Sequence, residues 1–76
     1  MEKSEILKKV GKRIKEVRES KGISQVELVG KMHGVIDPTN ISRIESGRTN
    51  PTVFTLFRIA EALEINPSEL LTFETA

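Results

Sequence analysis

The 76-residue sequence contains no cysteine, which excludes a disulfide framework and any zinc site built on thiolates. This absence fits a reducing cytoplasm, which we expect as the location. The sole histidine, His33, lies in a predicted turn with no second ligand nearby, so we expect neither a metal site nor an acid–base group. No apolar run approaches the roughly 18 residues that cross a membrane. Without a glycine-rich phosphate loop or a Ser/His/Asp grouping, we expect no enzyme, no cofactor and no small-molecule ligand.

The length allows one small domain, residues 1–76, with a thin margin of stability, because such a chain buries only about 60–65% of its unfolded surface. The net charge is +1, but the charges are unevenly placed. Residues 1–21 hold eight basic and four acidic side chains, whereas residues 61–76 hold four acidic side chains and no basic one. The lysine-rich start is either a solvated helix face or a surface for a polyanion.

Helical spacing accounts for the first two segments. The first helix has Ser4 as its predicted N-cap, Gly22 as its stop, and a buried stripe of Leu7, Val10, Ile14 and Val17. A capping box formed by Ser24 and Glu27 opens the second helix, whose apolar residues are Leu28, Val29 and Met32.

Three further helices are predicted. Asp37 and Pro38 open the third, as cap and first helical residue, and Gly47 ends it. Asn50-Pro51-Thr52 precedes a fourth, with Thr52 as its cap and the buried stripe Val53, Leu56, Ile59, Ala60 and Leu63. Asn66-Pro67-Ser68-Glu69 opens a short fifth. No segment alternates with the period of a strand, so the sequence predicts an all-α fold of five helices.

The second and third helices have the outline of a helix-turn-helix. On the third helix, Ile41, Ile44 and Glu45 share one face, and Thr39, Ser42, Arg43 and Ser46 share the opposite face. Short hydrogen-bonding side chains allow a helix to lie deep in a DNA major groove, and arginine pairs bidentately with guanine. The alternative interpretation is an ordinary solvated face.

Glu45 lies among apolar residues and needs a cationic partner, because an unpaired buried carboxylate is very costly. Arg18, at the edge of the first helix's apolar stripe, is the predicted partner. After Gly47, the loop Arg48-Thr49-Asn50 carries groups suited to phosphate, although a plain turn is an equal alternative.

Three stretches together resemble the Cro/Xre-type helix-turn-helix regulators, which share the phage-repressor DNA-binding fold: GKRIKEVRESKGISQVEL, ISRIESGRTNP and LFRIAEALEINPSELL. The resemblance covers about residues 10–71. It implies that residues 38–46 form the recognition helix, and that Gln25 touches a phosphate and braces the front of that helix. The DNA-binding residues that it implies are Gln25, Pro38, Thr39, Asn40, Ser42, Arg43, Arg48, Thr49 and Asn50.

The sequence departs from the family pattern in three places. The turn His33-Gly34-Val35-Ile36 is two residues longer than usual, which loosens the alignment of Pro38, Thr39 and Asn40. Val29 replaces a small alanine between the two helices, so we expect a slightly wider gap there. Pro38 replaces a long amide side chain and cannot donate a hydrogen bond to a base.

Members of this family bind palindromes as two-fold dimers, with half-sites about 34 Å apart. With no separate dimerisation domain expected, we predict a homodimer interface on the domain itself, formed by Phe54, Phe57, Ile65 and Phe73; for Phe57 and Phe73, completing the core is an equal alternative. The sequence thus predicts a regulator that represses a promoter or its own gene by binding a palindromic operator in double-stranded DNA. The alternative is a protein-interaction adaptor that uses the same fold without contacting bases. The sequence does not give the operator, the regulated genes or the direction of regulation.

Overall fold

The computed structural model describes residues 1–34 and 36–73, and the regular structure of these residues is entirely helical, as predicted. The elements are α1 Lys3–Ser20, α2 Gln25–Lys31, α3 Pro38–Glu45, α4 Val53–Leu63 and a 3₁₀ helix, Pro67–Leu71. They form a bundle with principal extents of 34 × 20 × 20 Å. None of the helices in the described residues has the length and apolar character needed to span a membrane.

Side-chain caps start three of the α-helices at the predicted places. The Ser24 hydroxyl accepts a hydrogen bond from the Glu27 amide at 3.0 Å, and the Ser24 amide donates to the Glu27 carboxylate at 3.0 Å. Asp37 caps α3 and Thr52 caps α4 by accepting from one amide each, that of Asn40 and that of Thr55, without a reciprocal bond. Each cap satisfies amides that have no partner within the helix, so it fixes where the helix begins.

Two predictions about helices were wrong. α1 begins at Lys3, with Glu2 in the N-cap position and no side-chain cap, so Ser4 lies inside the first turn. The predicted fifth helix is a 3₁₀ helix, so the described chain has four α-helices. Its capping box, Asn66 with Glu69, is present, but the segment ends after five residues where Thr72 turns to extended backbone. A segment of that length gains too few hydrogen bonds to propagate as an α-helix.

A single core joins the helices. Its largest fully buried side chains are Ile14, Leu28, Met32, Ile41, Ile59, Leu63 and Leu70. The 3₁₀ helix contributes Leu70 to this core and is also tied to α1, because the Arg13 side chain donates a hydrogen bond to the Glu69 carbonyl at 2.8 Å. The predicted stripe of α4 was wrong at Val53, which is 70% exposed; it lies at the very start of the helix, beyond the core, whereas Ala62 is buried.

The turn between α2 and α3 includes two residues with left-handed backbone, His33 (φ 54°) and Gly34 (φ 77°). Val35, the third residue of the long turn identified in the sequence, lies outside the described residues. Ile36 packs partly against the core just before the Asp37 cap. The chain therefore enters α3 from an anchored apolar residue.

Candidate nucleic-acid interface

α3 has a buried face and an exposed face, as its sequence pattern predicts. Ile41 and Ile44 are 0% and 2% exposed, and Glu45 is buried beside them. The exposed positions are Pro38, Thr39, Ser42, Arg43 and Ser46. The exposed face therefore carries one positive charge, no carboxylate and only short side chains around it.

Both ends of α3 are closed by local hydrogen bonds. Asp37 accepts from the Asn40 amide at 2.8 Å, and Pro38 occupies the first turn, where its missing amide is not needed. At the other end, Gly47 adopts a left-handed φ of 79°, and the Arg48 amide donates to the Arg43 carbonyl at 2.9 Å. The helix is thus a rigid eight-residue platform.

Arg18 and Glu45 meet in a bidentate ion pair between α1 and α3. Arg18 Nε lies 2.7 Å from Glu45 Oε2, and Nη2 lies 3.0 Å from Oε1. A third donor, Nη1, reaches the Ile23 carbonyl at 2.7 Å. The hydrogen bond to Glu45 raises the pKa of Arg18 above its ordinary value, although burial acts in the opposite direction. The pair holds the last turn of α3 against α1 with its charges neutralised.

Gln25 joins this ion pair. Its side-chain amide donates to Glu45 Oε1 at 3.0 Å. The observed brace is therefore at the last residue of α3, whereas the front of that helix was expected. Because Gln25 is only half-buried and its amide group has a second N–H, it can still donate to a ligand from outside.

The loop that follows α3 forms one wall of a groove of about 250 Å³. Thr49 and Asn50 line it, and so does Asn40 from the first half of α3. Arg48 is exposed beside them. The structure thus brings Asn40 together with the loop rather than with the exposed face of α3.

The four residues predicted for a dimer interface fall into two pairs. Phe54 and Phe57 are 63% and 52% exposed, whereas Ile65 and Phe73 pack partly against the core. The sequence patterns missed two other exposed apolar side chains, Val53 and Leu71, which line a groove of about 350 Å³ together with Phe57. We call Val53, Phe54, Phe57 and Leu71 the apolar face. Val53 was missed because its spacing matched the buried stripe.

His33 lies apart from α3, in a hollow with Lys31 and Arg58. Within residues 1–34 and 36–73, no group of three His, Asp or Glu side chains is arranged to hold a metal ion. His33 is therefore not part of the exposed face of α3.

A short helix, a turn and a second helix with an exposed polar face is the arrangement found in DNA-binding helix-turn-helix domains, in which the second helix lies in the major groove. The model of the helix-turn-helix family HTH_3 matches residues 14–70, three quarters of the chain. The chain therefore belongs to this Cro/Xre-like family of DNA-binding transcriptional regulators, which is not a class of enzymes.

Similar proteins support the same assignment. The uncharacterized HTH-type transcriptional regulator y4dJ of Sinorhizobium fredii is 37% identical over 65 residues, which cover 86% of this chain and 82% of that protein. The restriction-modification controller protein C.AhdI of Aeromonas hydrophila has a TM-score of 0.79 and 34% identity, over 84% of this chain and 94% of that one. The controller protein C.Esp1396I, solved as a tetramer on its natural 35-base-pair operator, has a TM-score of 0.74 and 33% identity, over 88% and 96% of the two chains.

Proposed function

We propose that this regulator binds a palindromic operator in double-stranded DNA as a homodimer, and that it represses a promoter or its own gene by occupying it. The observation that carries the proposal is the exposed face of α3. Thr39, Ser42 and Arg43 supply hydrogen-bond donors and acceptors on this face, which has no carboxylate. The operator complex of C.Esp1396I, a similar protein, supports it.

In this proposal α3 lies in the major groove. Arg43 contacts a guanine, and Thr39 and Ser42 contact base edges or nearby phosphates. Pro38 offers an apolar contact to a thymine methyl. The DNA backbone is contacted by Gln25 and by the loop residues Arg48, Thr49 and Asn50. Asn40 faces the protein groove that this loop borders.

A homodimer fits the proposal because a single module makes few base contacts, whereas two modules on a palindrome double them. The apolar face supplies a surface for self-association, since its four side chains are each at least half exposed. We assign the dimer contact to Phe54 and Phe57 in the first place. Ile65 and Phe73, which pack partly against the core, border the contact at most.

The first experiment selects bound duplexes from a random pool and sequences them. We expect a motif with two-fold symmetry. The same duplex then measures the affinity of Arg43→Ala, which we expect to lose about 1–3 kcal/mol of binding and to relax the preference at one base pair. Lys31→Ala removes a positive charge from the end of α2, in the hollow with His33 and Arg58, and should bind almost as the wild type does.

An adaptor that does not contact DNA would give other results. No symmetric motif would emerge, and no salt-dependent duplex binding would be measured at any concentration. Equal losses in Arg43→Ala and Lys31→Ala would also contradict the assignment, since they would reflect net charge rather than a contact by α3.

A further inference from the structure

One flank of α1 lies directly against the end of α3, in an approach that only glycines permit. A Cβ added to Gly11 would come within 2.2 Å of the Ile44 carbonyl oxygen. A Cβ added to Gly47 would come within 2.7 Å of the Lys8 side chain. At Gly11 the backbone of α1 therefore crosses the last turn of α3 with no side chain between them.

This crossing places two lysines at the edge of the candidate interface. Lys8 touches Gly47, which immediately precedes the Arg48 loop. Lys15, two helical turns further along α1, lines a hollow of about 160 Å³ together with Gln25, Ser42, Glu45 and Ser46. Both lysines are exposed.

Two other lysines of α1 lie elsewhere. Lys9 and Lys12 line a hollow beside the 3₁₀ helix, together with Thr72 and Phe73. These four lysines of α1 are thus divided between two flanks of the helix, and the flank with Lys8 and Lys15 is the one that borders α3.

The charges around Lys15 favour an external anion. Glu45 is the carboxylate in its hollow, and both of its oxygens already accept hydrogen bonds from Arg18. Among the described residues the ion pairs are Arg18–Glu45 and Arg58–Glu61, so neither Lys8 nor Lys15 is paired with a carboxylate. An ammonium group beside donors such as Gln25 and Ser42 matches a phosphate.

We propose that Lys8 and Lys15 bind backbone phosphates of the DNA on which α3 docks, so that α1 forms a second edge of the interface. The proposal rests on the proposed function. Phosphate rather than a base is the partner, because both lysines lie at the margin of the exposed face of α3. Lys8 lies against Gly47, after the end of α3, and Lys15 lies beside the last turn of α3. A lysine is a point charge suited to such a contact.

The test compares Lys8→Gln/Lys15→Gln with the matched control Lys9→Gln/Lys12→Gln, which removes the same charge from the other flank. Fluorescence anisotropy measures Kd on a labelled 30-base-pair duplex carrying the selected sequence, from 50 to 200 mM KCl. Each lost phosphate contact lowers the slope of log affinity against log salt concentration by about 0.9. Over this range the affinity of the variant then falls about 3.5-fold less than that of the wild type. For Lys8→Gln/Lys15→Gln we expect the ratio of variant Kd to wild-type Kd to fall about 12-fold between 50 and 200 mM KCl. For the control Lys9→Gln/Lys12→Gln we expect this ratio to fall by less than about 3-fold.

Equal salt slopes for the two double variants would overturn the proposal. Thermal melting of each variant shows that it is folded, and glutamine retains the Cγ with which residue 8 contacts Gly47. If the wild type binds no duplex even at 50 mM KCl, the proposed function itself fails. If the wild type binds and Arg43→Ala weakens it while both lysine variants keep the wild-type slope, only the role of α1 fails.

Discussion

Arg18 and Glu45 form a buried ion pair, in which both charges are removed from water and each depends on the other for compensation. Their side chains are 8% and 3% exposed, and each nitrogen of the guanidinium and each oxygen of the carboxylate has a hydrogen-bond partner within the protein. Removing one partner leaves the other buried without compensation. We therefore expect Arg18→Met alone, or Glu45→Leu alone, to lower the free energy of unfolding by about 3–5 kcal/mol.

Combining the two substitutions gives the control. An apolar pair leaves no unmatched charge, so Arg18→Met/Glu45→Leu should recover most of the stability, to within about 1–2 kcal/mol of the wild type. Urea unfolding followed by circular dichroism measures all four proteins. Additive losses in the double variant would show that the two residues act separately.

Gly11 tests the close crossing of α1 and α3. Gly11→Ala places a methyl group 2.2 Å from a carbonyl oxygen, so the helices must separate, and we expect a loss of about 2–3 kcal/mol in unfolding free energy. Gly30 is the matched control, since it is also helical and a Cβ there meets nothing within 4 Å. Gly30→Ala should raise stability by about 0.5–1 kcal/mol, and thermal melts of the two variants should shift in opposite directions.

The starts of the helices could be predicted from the sequence where a side chain forms the cap. Ser24, Asp37 and Thr52 each accept a backbone amide, and that geometry depends on neighbouring residues alone. α1 has no such cap, so its start could not be deduced from Ser4. The 3₁₀ character of residues 67–71 was also hidden, because the same capping box opens either kind of helix.

Glu27 makes the start of α2 sensitive to pH. Hydrogen bonds from Ser24, first from its backbone amide, lower the pKa of Glu27 below its ordinary value of 4.5. As the pH falls, the carboxylate of Glu27 is therefore protonated at a higher pH in the unfolded chain than in the folded chain. The stabilisation is complete above pH 4.5 and is lost as the pH falls through the lowered pKa.

Glu27→Gln isolates this effect, because glutamine can also complete a capping box but does not titrate. We expect the wild type to be more stable than the variant at pH 6, and the difference to shrink by pH 3. Urea unfolding at the two pH values measures it. A difference independent of pH would mean that the carboxylate charge of Glu27 plays no part in the cap.

The sequence predicted which face of α3 is exposed but not which residues of other helices border that face. Helical periodicity separates Ile41 and Ile44 from Ser42 and Arg43, since it depends only on positions within one helix. The placement of Lys15 beside Ser42 depends on how α1 crosses α3, and that follows from the glycine contacts between distant segments. Periodicity within one helix also could not show that Val53 is exposed. Its spacing matches the buried stripe of α4, but the other helices do not cover this end of α4.

The apolar face is the surface through which we expect the chain to self-associate. Phe57 and Leu71 flank one groove, and Phe54 lies one helical turn before Phe57, with the Arg58 guanidinium 6.0 Å from its ring. Water contact with these side chains is unfavourable, and a second copy of the chain related by two-fold symmetry would remove it for both molecules.

We expect a dimer by analytical ultracentrifugation at about 100 µM, because a palindromic operator requires two modules. Phe57→Lys should give a monomer, whereas Val26→Lys, at a position 68% exposed on α2, should leave the dimer intact. A monomeric wild type at that concentration would contradict the assignment of this face.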